Sequence, residues 1–376
     1  MLCLGLAIAR ITDMRLFQNS GLYPAYLPRL ARLTRDCTNF AESRQAFLAD
    51  RFGACHFLQP VLEGGADAFF TNGDDINLQR YWSQAQGMPA NSRLSAILLA
   101  QIEHHRTEVF YNLDPMRYGS DFVRKLPGCV KKSIAWRAAP SPGADFGSYD
   151  AVVCNFPSIL DGYRARGWRA EYLSPAHDPE MDIYAASTVR PIDVLFVGGY
   201  SRHHRQRAVI LDAVAALRSQ YNVVFCLDCS RLTRLAESPV GHLMPLASHR
   251  RPADIRAVSH DPIYGRDLYE MISKAKIVLN GAVDMAGADR GNMRCFEALG
   301  CGAMMVSDQG NYPEGIESVI ATSLYADAQQ AVQKIQIALK NPESLRLTAL
   351  RGQQIVREVY GKSRQWTDFT ALVGRL

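Results

Sequence analysis

The chain has 376 residues, enough for two domains of ordinary size that each bury a core. Hydrophobic residues make up 48% and charged residues 21%, the composition of a globular protein, and no apolar stretch is long enough to cross a membrane as a helix. The net charge of +5, without a long basic run or an aromatic-interleaved basic stripe, excludes a nucleic-acid-binding signature and suits acidic small molecules or an anionic membrane surface. Nine irregularly spaced cysteines do not form a disulfide framework. The one C-x-x-C, Cys226 to Cys229, ends an apolar strand and has no second pair to complete a zinc site, so structural thiols in a reducing cytoplasm are expected.

Residues 1–13 resemble a weak signal peptide but lack a basic start, and Arg10 and Asp13 follow the short apolar core; an N-terminal extension is expected. The first true strand is expected at Met14–Asn19, followed by a helix carrying Tyr26, Leu27, Leu30 and Leu33, and a second helix over Arg44–Phe52. Gly64–Asp75 reads as a polar loop, with Asp74 and Asp75 as loop residues. Ser92–His105 reads as a helix with Ser92 as its cap, and Glu108–Asn112 as a strand ending at Leu113-Asp114-Pro115. Strands at Lys132–Trp136, Ala151–Cys154 and Ala170–Leu173 complete a first doubly wound domain over residues 14–178.

Ser174–Glu180 reads as the turn out of that domain, with a linker to Arg190-Pro191. A second domain over residues 190–361 opens with a buried strand from Ile192 running into a Gly198-Gly199 turn, then a helix from about His203 to Ser219. Glycines there let backbone approach a ligand, and Arg202, Arg205 and Arg207 bring guanidinium groups suited to phosphate. The pattern is not G-x-G-x-x-G, so a dinucleotide fingerprint is absent. Ser318–Leu324 reads as the last strand, and Asp327–Leu339 and Pro342–Tyr360 as amphipathic helices broken at Asn341-Pro342.

The stretch from Gly265 to Ile316 organises this half. A short helix leads to an apolar strand at Lys276–Asn280, a polar loop, a helix from about Gly291-Asn292, and a buried strand at Ala303–Val306. A loop entering a helix beyond a parallel strand is where open α/β sheets bind ligands, and the helix's unpaired N–H groups suit a pyrophosphate. Asp289 and Glu297 stand eight positions apart, which on one helix would bring them to nearly one face.

The run RCFEALGCGAMMVSD resembles the glycosyltransferase group-1 signature, and most closely its CgeB-like branch. In the wider retaining family the motif is E-x7-E; Glu297 takes the position of the ribose-binding second Glu, and Asp289, a shorter carboxylate, that of the first. The F-V-G segment, Asp261–Gly265 with Tyr264, Asn280 at the end of its strand, and the helical C-terminus resemble the same family over most of Ile192–Val373. The resemblance implies a GT-B architecture: two Rossmann-like doubly wound domains facing across a cleft, with the acceptor on the first, the nucleotide-sugar on the second, and residues 362–376 packing back on the first.

Glycosyl transfer from a nucleoside-diphosphate sugar needs stabilisation of the leaving diphosphate and an acceptor hydroxyl held in line. Backbone N–H groups near Gly291, Asn292 and Met293, with Arg294 and the arginines after Gly199, are expected to meet the first need without a metal or other cofactor. No D-x-D triplet occurs in the chain. Acid–base candidates in the first domain are His104, His105 and Asp114. The resulting expectation is a cytoplasmic, metal-independent glycosyltransferase acting on a glycan or lipid-linked acceptor of the cell surface, with retention suggested by the E-x7-E likeness. It is expected to bind no nucleic acid and has room for peripheral contact with the inner face of the membrane through basic residues of the first domain. Two alternatives stay open: a nucleotide-sugar epimerase of the same architecture, and a non-catalytic nucleotide- or carbohydrate-binding protein.

Overall fold

The computed structural model describes residues 14–200, 205–281 and 286–376. The expected extension at residues 1–13, Arg202 and the expected helix start at His203 lie outside them. The chain divides into two compact units: one runs to Ala176 and takes in Lys362–Leu376, and the other is His177–Gly361.

The first unit is built on a six-stranded sheet in the order β2-β1-β3-β4-β5-β6. Its strands are β1 (Leu16–Ser20), β2 (Ala68–Asn72), β3 (Val109–Asn112), β4 (Lys132–Trp136), β5 (Ala151–Cys154) and β6 (Ala170–Tyr172). Every pairing is parallel, with β1 central between β2 and β3. β1, β3 and β5 are buried along their whole length, as strands covered on both faces must be.

Local chemistry corrects two expectations here. The expected loop Gly64–Asp75 contains β2, because Ala68-Phe69-Phe70 supplies an apolar run that pairs with Leu16-Phe17-Gln18. The helix expected to be capped by Ser92 spans Leu94–His104, with Arg93 at the cap position. Ser92 Oγ instead donates to the carbonyl of Pro89 at 2.7 Å.

The terminal helix, Lys362–Arg375, belongs to this unit through buried polar contacts. Lys362 is 6% exposed, and its ammonium donates to the carbonyls of Ala54 and Phe57, both at 2.7 Å. Gln365 Nε2 donates to Cys55 O and Ser174 O at 3.0 Å. A buried ammonium held by carbonyl and amide oxygens is still solvated, which lets a lysine pin the helix from inside.

The second unit repeats the plan with the order β12-β11-β10-β7-β8-β9, again all parallel. Its strands are β7 (Ile192–Gly199), β8 (Val223–Asp228), β9 (Ser259–His260), β10 (Ala275–Leu279), β11 (Met304–Asp308) and β12 (Leu324–Tyr325). On one face, the helix Arg205–Ala215 packs with Ala253–Val258 and Ala328–Lys340 over a core containing Val194, Leu211, Phe225 and Ile335. The helix Met293–Gly300 packs with Pro342–Val359. The last strand expected at Ser318–Leu324 is a helix, Ile316–Ile320, followed by a 3-10 turn, and β12 itself is only Leu324–Tyr325. Gly315 at φ 78° starts that helix in a conformation other residues resist.

Gly198 and Gly199 do not form a turn after the strand. They are its last residues, in register with Leu227 and Asp228 of β8, because the ladder continues through both glycines.

Candidate functional site

In the second sheet the strand order reverses between β7 and β10, so a crevice opens beyond their C-terminal ends. Asn280, just after β10, is 4% exposed and ties this edge together. Its Nδ2 donates to Ser307 Oγ at 3.0 Å, its Oδ1 accepts from Asn292 Nδ2 at 3.0 Å, and its carbonyl accepts from the Tyr325 hydroxyl at 2.6 Å. Asn292 is the cap residue of Met293–Gly300, yet its side chain makes no cap bond. It is turned instead to Asn280 and to the Cys295 thiol, which donates to Oδ1 at 3.2 Å. Burial holds that thiol protonated, pushing it up to about 12. The cap side chain is thus diverted and the first turn holds no acid, so neither neutralises the positive end of the helix at the N–H groups of Met293 and Arg294. Gly291, at φ 149°, makes the entry.

Asp289 and Glu297 do not share a helix face. Asp289 precedes the helix in a looped ladder with Asn311, in which Asn311 N donates to Ala288 O and Arg290 N to Asn311 O, both at 2.8 Å. This pairing holds the backbone extended, so the helical spacing does not apply. Asp289 is 7% exposed and accepts a long contact, 3.4 Å, from Asn311 Nδ2. Glu297 is on the helix, 6% exposed, and its Oε2 lies 2.8 Å from Arg294 Nη1 one turn earlier. Arg294 is thus the partner of Glu297 rather than a free surface cation, and its Nε is buried with no hydrogen-bond acceptor.

A pocket opens at the same strand ends, lined by Phe196, Arg207, Asn280, Gly281, Arg290 and Asp308 among others. Arg207 Nη2 donates to the carbonyl of Gly281 at 2.7 Å, and Arg290 Nε to Asp308 Oδ2 at 2.7 Å. Arg294 and Glu297 do not line this pocket; the two features meet at the Asn280–Asn292 hydrogen bond. A side chain at Gly198 would press on the Phe196 ring at 3.1 Å, whereas a Cβ at Gly199 would meet nothing within 4 Å among the described residues. Arg205 is exposed at the start of its helix. The Tyr264 hydroxyl donates to Asp228 Oδ1 at 3.1 Å, placing it at the end of β8. Arg290 and Asp308 were missed by sequence reasoning; the signal available was position alone, Asp308 as the last residue of a buried strand and Arg290 next to Gly291.

In the first sheet the order reverses between β1 and β3, and there the edge is occupied by a closed polar network. Asn19 Nδ2 donates to Asn112 Oδ1 at 2.8 Å, and Gly73 N donates to Asn19 Oδ1 at 2.8 Å. Asn112 Nδ2 donates to the Tyr149 hydroxyl at 2.6 Å, and the Tyr118 hydroxyl to Gly73 O at 2.6 Å. On this platform stand Asp74, after β2, and Asp114, after β3. Asp74 Oδ2 accepts from Leu22 N at 3.0 Å, and Arg117 lies between the carboxylates, 3.3 Å from Asp114 Oδ2 and 3.8 Å from Asp74 Oδ2. Asp74 Oδ1 is buried without a hydrogen-bond partner. Burial raises the pKa of both above the ordinary aspartate value, and the nearby Asp114 carboxylate adds to the rise at Asp74, while Arg117 pulls both down. Asp75, by contrast, caps the helix Ile76–Ala85 by accepting from Asn77 N and Leu78 N.

His104 and His105 do not join Asp114. They end the helix that leads into β3 and sit at the opposite, N-terminal edge of the sheet. His104 packs edge-on to Trp82, and His105 packs on Phe17 and Phe69. Burial lowers the His105 pKa. A chain that enters a strand from a helix delivers its last helical residues to the strand's start, so this pair could not reach the C-terminal edge. Among the described residues, no group of three or more His, Cys, Asp or Glu side chains is placed to hold a metal ion.

The family model described as glycosyl transferase-like matches residues 205–370. HepE of Anabaena, solved with UDP-glucose, superposes with a TM-score of 0.56 at 12% identity, covering 97% of this chain and 100% of that one. Sucrose-phosphate synthase of Thermosynechococcus elongatus gives 0.51 at 11% identity over 96% and 99%. A search of curated proteins finds no match. The two Rossmann-like units, each a six-stranded parallel sheet covered by helices, are the GT-B fold.

Proposed function

We propose that this protein is a glycosyltransferase that moves a sugar from a nucleoside-diphosphate donor to a glycan or lipid-linked acceptor. The observation that carries the reading is the uncapped positive end of Met293–Gly300 at the switch point of the second sheet, reached by buried Asn280. Support comes from the glycosyl transferase-like match over this unit and from a structural relative solved with UDP-glucose. In this reading the diphosphate lies on the N–H groups of Met293 and Arg294, with Arg207 and Arg290 supplying positive charge nearby as the bond to the sugar breaks. Charge met by protein cations needs no metal or other cofactor. Glu297, oriented by Arg294, accepts from ribose hydroxyls, and the CgeB-like branch is retained on the run from Arg294 to Asp308. Asp114 and Asp74 serve the acceptor side. A carboxyl whose pKa is raised toward neutrality is a better proton acceptor for a sugar hydroxyl than an ordinary aspartate. We place the protein in the cytoplasm, with peripheral contact at the membrane's inner face. Whether configuration is retained follows from the product anomer.

The test is a thermal-shift panel of UDP, GDP, TDP and their common sugars on the wild type and Glu297→Gln. A diphosphate at a hundred times its Kd adds about 2.7 kcal/mol of stability. The shift should be smaller in the variant, measured from its own baseline, and the active sugar-nucleotide should release free diphosphate when acceptor is added. No shift with any nucleotide would end the donor assignment. An isomerised sugar-nucleotide without released diphosphate would replace transfer by epimerisation.

A further inference from the structure

The segment between β8 and the helix Ala253–Val258 plays no part in the strand-end chemistry described above, and its surface is unusual. It contains a helix, Arg231–Glu237, and two 3-10 turns, Gly241–Leu243 and Ala247–His249. Its outer side carries five exposed apolar residues: Leu232 at 42%, Leu235 at 41%, Val240 at 64%, Leu243 at 91% and Met244 at 42%. Leu232 and Leu235 are three apart on one helix face, while Ala236, fully buried, faces inward.

The inner side is clamped rather than loose. Arg250 donates to Ala236 O at 2.9 Å and to Gly241 O at 2.6 Å, and Arg251 makes a two-pronged pair with Glu237 at 2.8 and 2.7 Å. Gly241 lies so close to Leu235 O that a Cβ would stand 1.8 Å from it. The apolar side chains are therefore displayed on a held framework.

Charge identifies the occupant. From Cys229 to Arg251 there are four arginines and one acid, Glu237, which Arg251 consumes internally. Arg231 and Arg234 are exposed beside Leu232 and Leu235, and among the described residues neither makes an ion pair. Asp228, just before the segment, accepts from Tyr264, and Asp254, just after it, pairs with Arg218. Exposed leucines flanked by two unpaired arginines match the interface of an anionic bilayer, where apolar groups enter the acyl boundary and cations meet the headgroups. A protein partner would have to bring its own acids to the same places; a bilayer offers them everywhere.

We infer that the Arg231–Met244 surface docks this protein on an anionic lipid membrane. The segment leaves the C-terminal end of β8, the same sheet edge that carries the switch-point pocket, so docking holds that edge at the bilayer. The contact is made by the second unit, not by basic residues of the first.

Co-sedimentation of the full chain with vesicles of phosphatidylcholine alone, or mixed with phosphatidylglycerol, tests this. Binding is expected only with the anionic lipid and should weaken with salt. Arg231→Gln and Arg234→Gln should each lower vesicle affinity about fivefold. Leu243→Glu should lower it about tenfold or more, with thermal stability unchanged because that side chain is already in water. Absence of binding to anionic vesicles, or binding that survives Leu243→Glu, would overturn the inference. So would concentration-dependent self-association abolished by Leu243→Glu, which would assign the surface to a second copy of the chain.

Discussion

The two sheets are both six-stranded and parallel, though their strand orders differ, and they put opposite chemistry on the edge where that order reverses. In the second sheet that edge is cationic and open: Arg207 and Arg290 border a pocket, a helix N-terminus is left without its side-chain cap, and a Cβ at Gly199 would meet nothing within 4 Å among the described residues. In the first it is acidic and filled: Asn19, Asn112, Tyr118 and Tyr149 close a network, and Asp74 and Asp114 stand on it. Added Cβ atoms register the same contrast. One at Gly21 would lie 2.9 Å from Asp114 Cγ, and one at Gly73 would lie 2.7 Å from Asn19 Oδ1.

The difference teaches what a doubly wound fold leaves free. Topology fixes only that a crevice lies beyond the strand ends; the residues just after each strand decide whether it attracts an anion or holds a proton acceptor. A diphosphate requires donors and room, which the second edge supplies. A hydroxyl requires a rigid acceptor with a suitable pKa, which the first supplies by taking carboxylates out of water on a satisfied hydrogen-bond platform.

The sharpest way to break this division is Asp114→Asn. If Asp114 accepts the acceptor's proton, turnover should fall about 10²- to 10⁴-fold, and the acid limb of the pH–rate profile should disappear with it. Stability gives the second readout. Because the folded pKa is raised, ionised Asp114 opposes folding above that pKa, and the penalty fades as pH falls from the folded to the unfolded value and is gone below it. The asparagine variant should therefore be no less stable at neutral pH. Loss of turnover together with a large loss of stability would make Asp114 a structural group.

Gly21→Ala probes the same edge without removing a carboxylate. The new methyl must push Asp114 by a few tenths of an ångström, since separations of 2.9 to 3.0 Å are shorter than a carbon tolerates. Turnover should drop about 10- to 100-fold, because small displacements of a reacting group are costly, while nucleotide-induced thermal shifts stay as in the wild type. Equal damage to nucleotide binding would show that the two edges do not act separately.

Much of the second sheet was legible because its strands are buried on both faces and read as unbroken apolar runs, as Val223–Leu227 does. β2 was not, since Ala68–Asn72 sits among glycines and aspartates that suggest a loop, and only its pairing with β1 makes it a strand. The helix mouth at Asn292 was readable from the glycine before it. The diversion of the Asn292 side chain was not, because it depends on Asn280 twelve residues away. Asp74 and Asp114 illustrate the general limit. Forty residues apart in sequence, they converge because β2, β1 and β3 run parallel in register, a fact that no local pattern contains. The same register shows why the histidine pair misled. His104 and His105 are close to Asp114 in sequence, but β3 lies between them and carries the chain from one edge of the sheet to the other.

That separation predicts the smallest effect, and one that sharpens the contrast from outside both strand-end sites. His105→Gln should leave turnover within about twofold of wild type, since the ring sits against Phe17 and Phe69 at the start of the strands; losing such an aromatic contact costs about 0.5–1.5 kcal/mol. Its signature belongs instead to stability. Burial holds the folded pKa of His105 below the ordinary 6.5, so as pH falls through 6.5 the unfolded chain takes up a proton that the folded chain refuses. Stability is then lost progressively from about pH 6.5 down to the lowered folded pKa, and the glutamine variant should lose less over that window. Denaturant unfolding at a series of pH values reads the slope directly. A variant that keeps the wild-type slope but loses turnover would bring His105 back into the chemistry and would mean that the start of the first sheet, not its end, holds the acceptor.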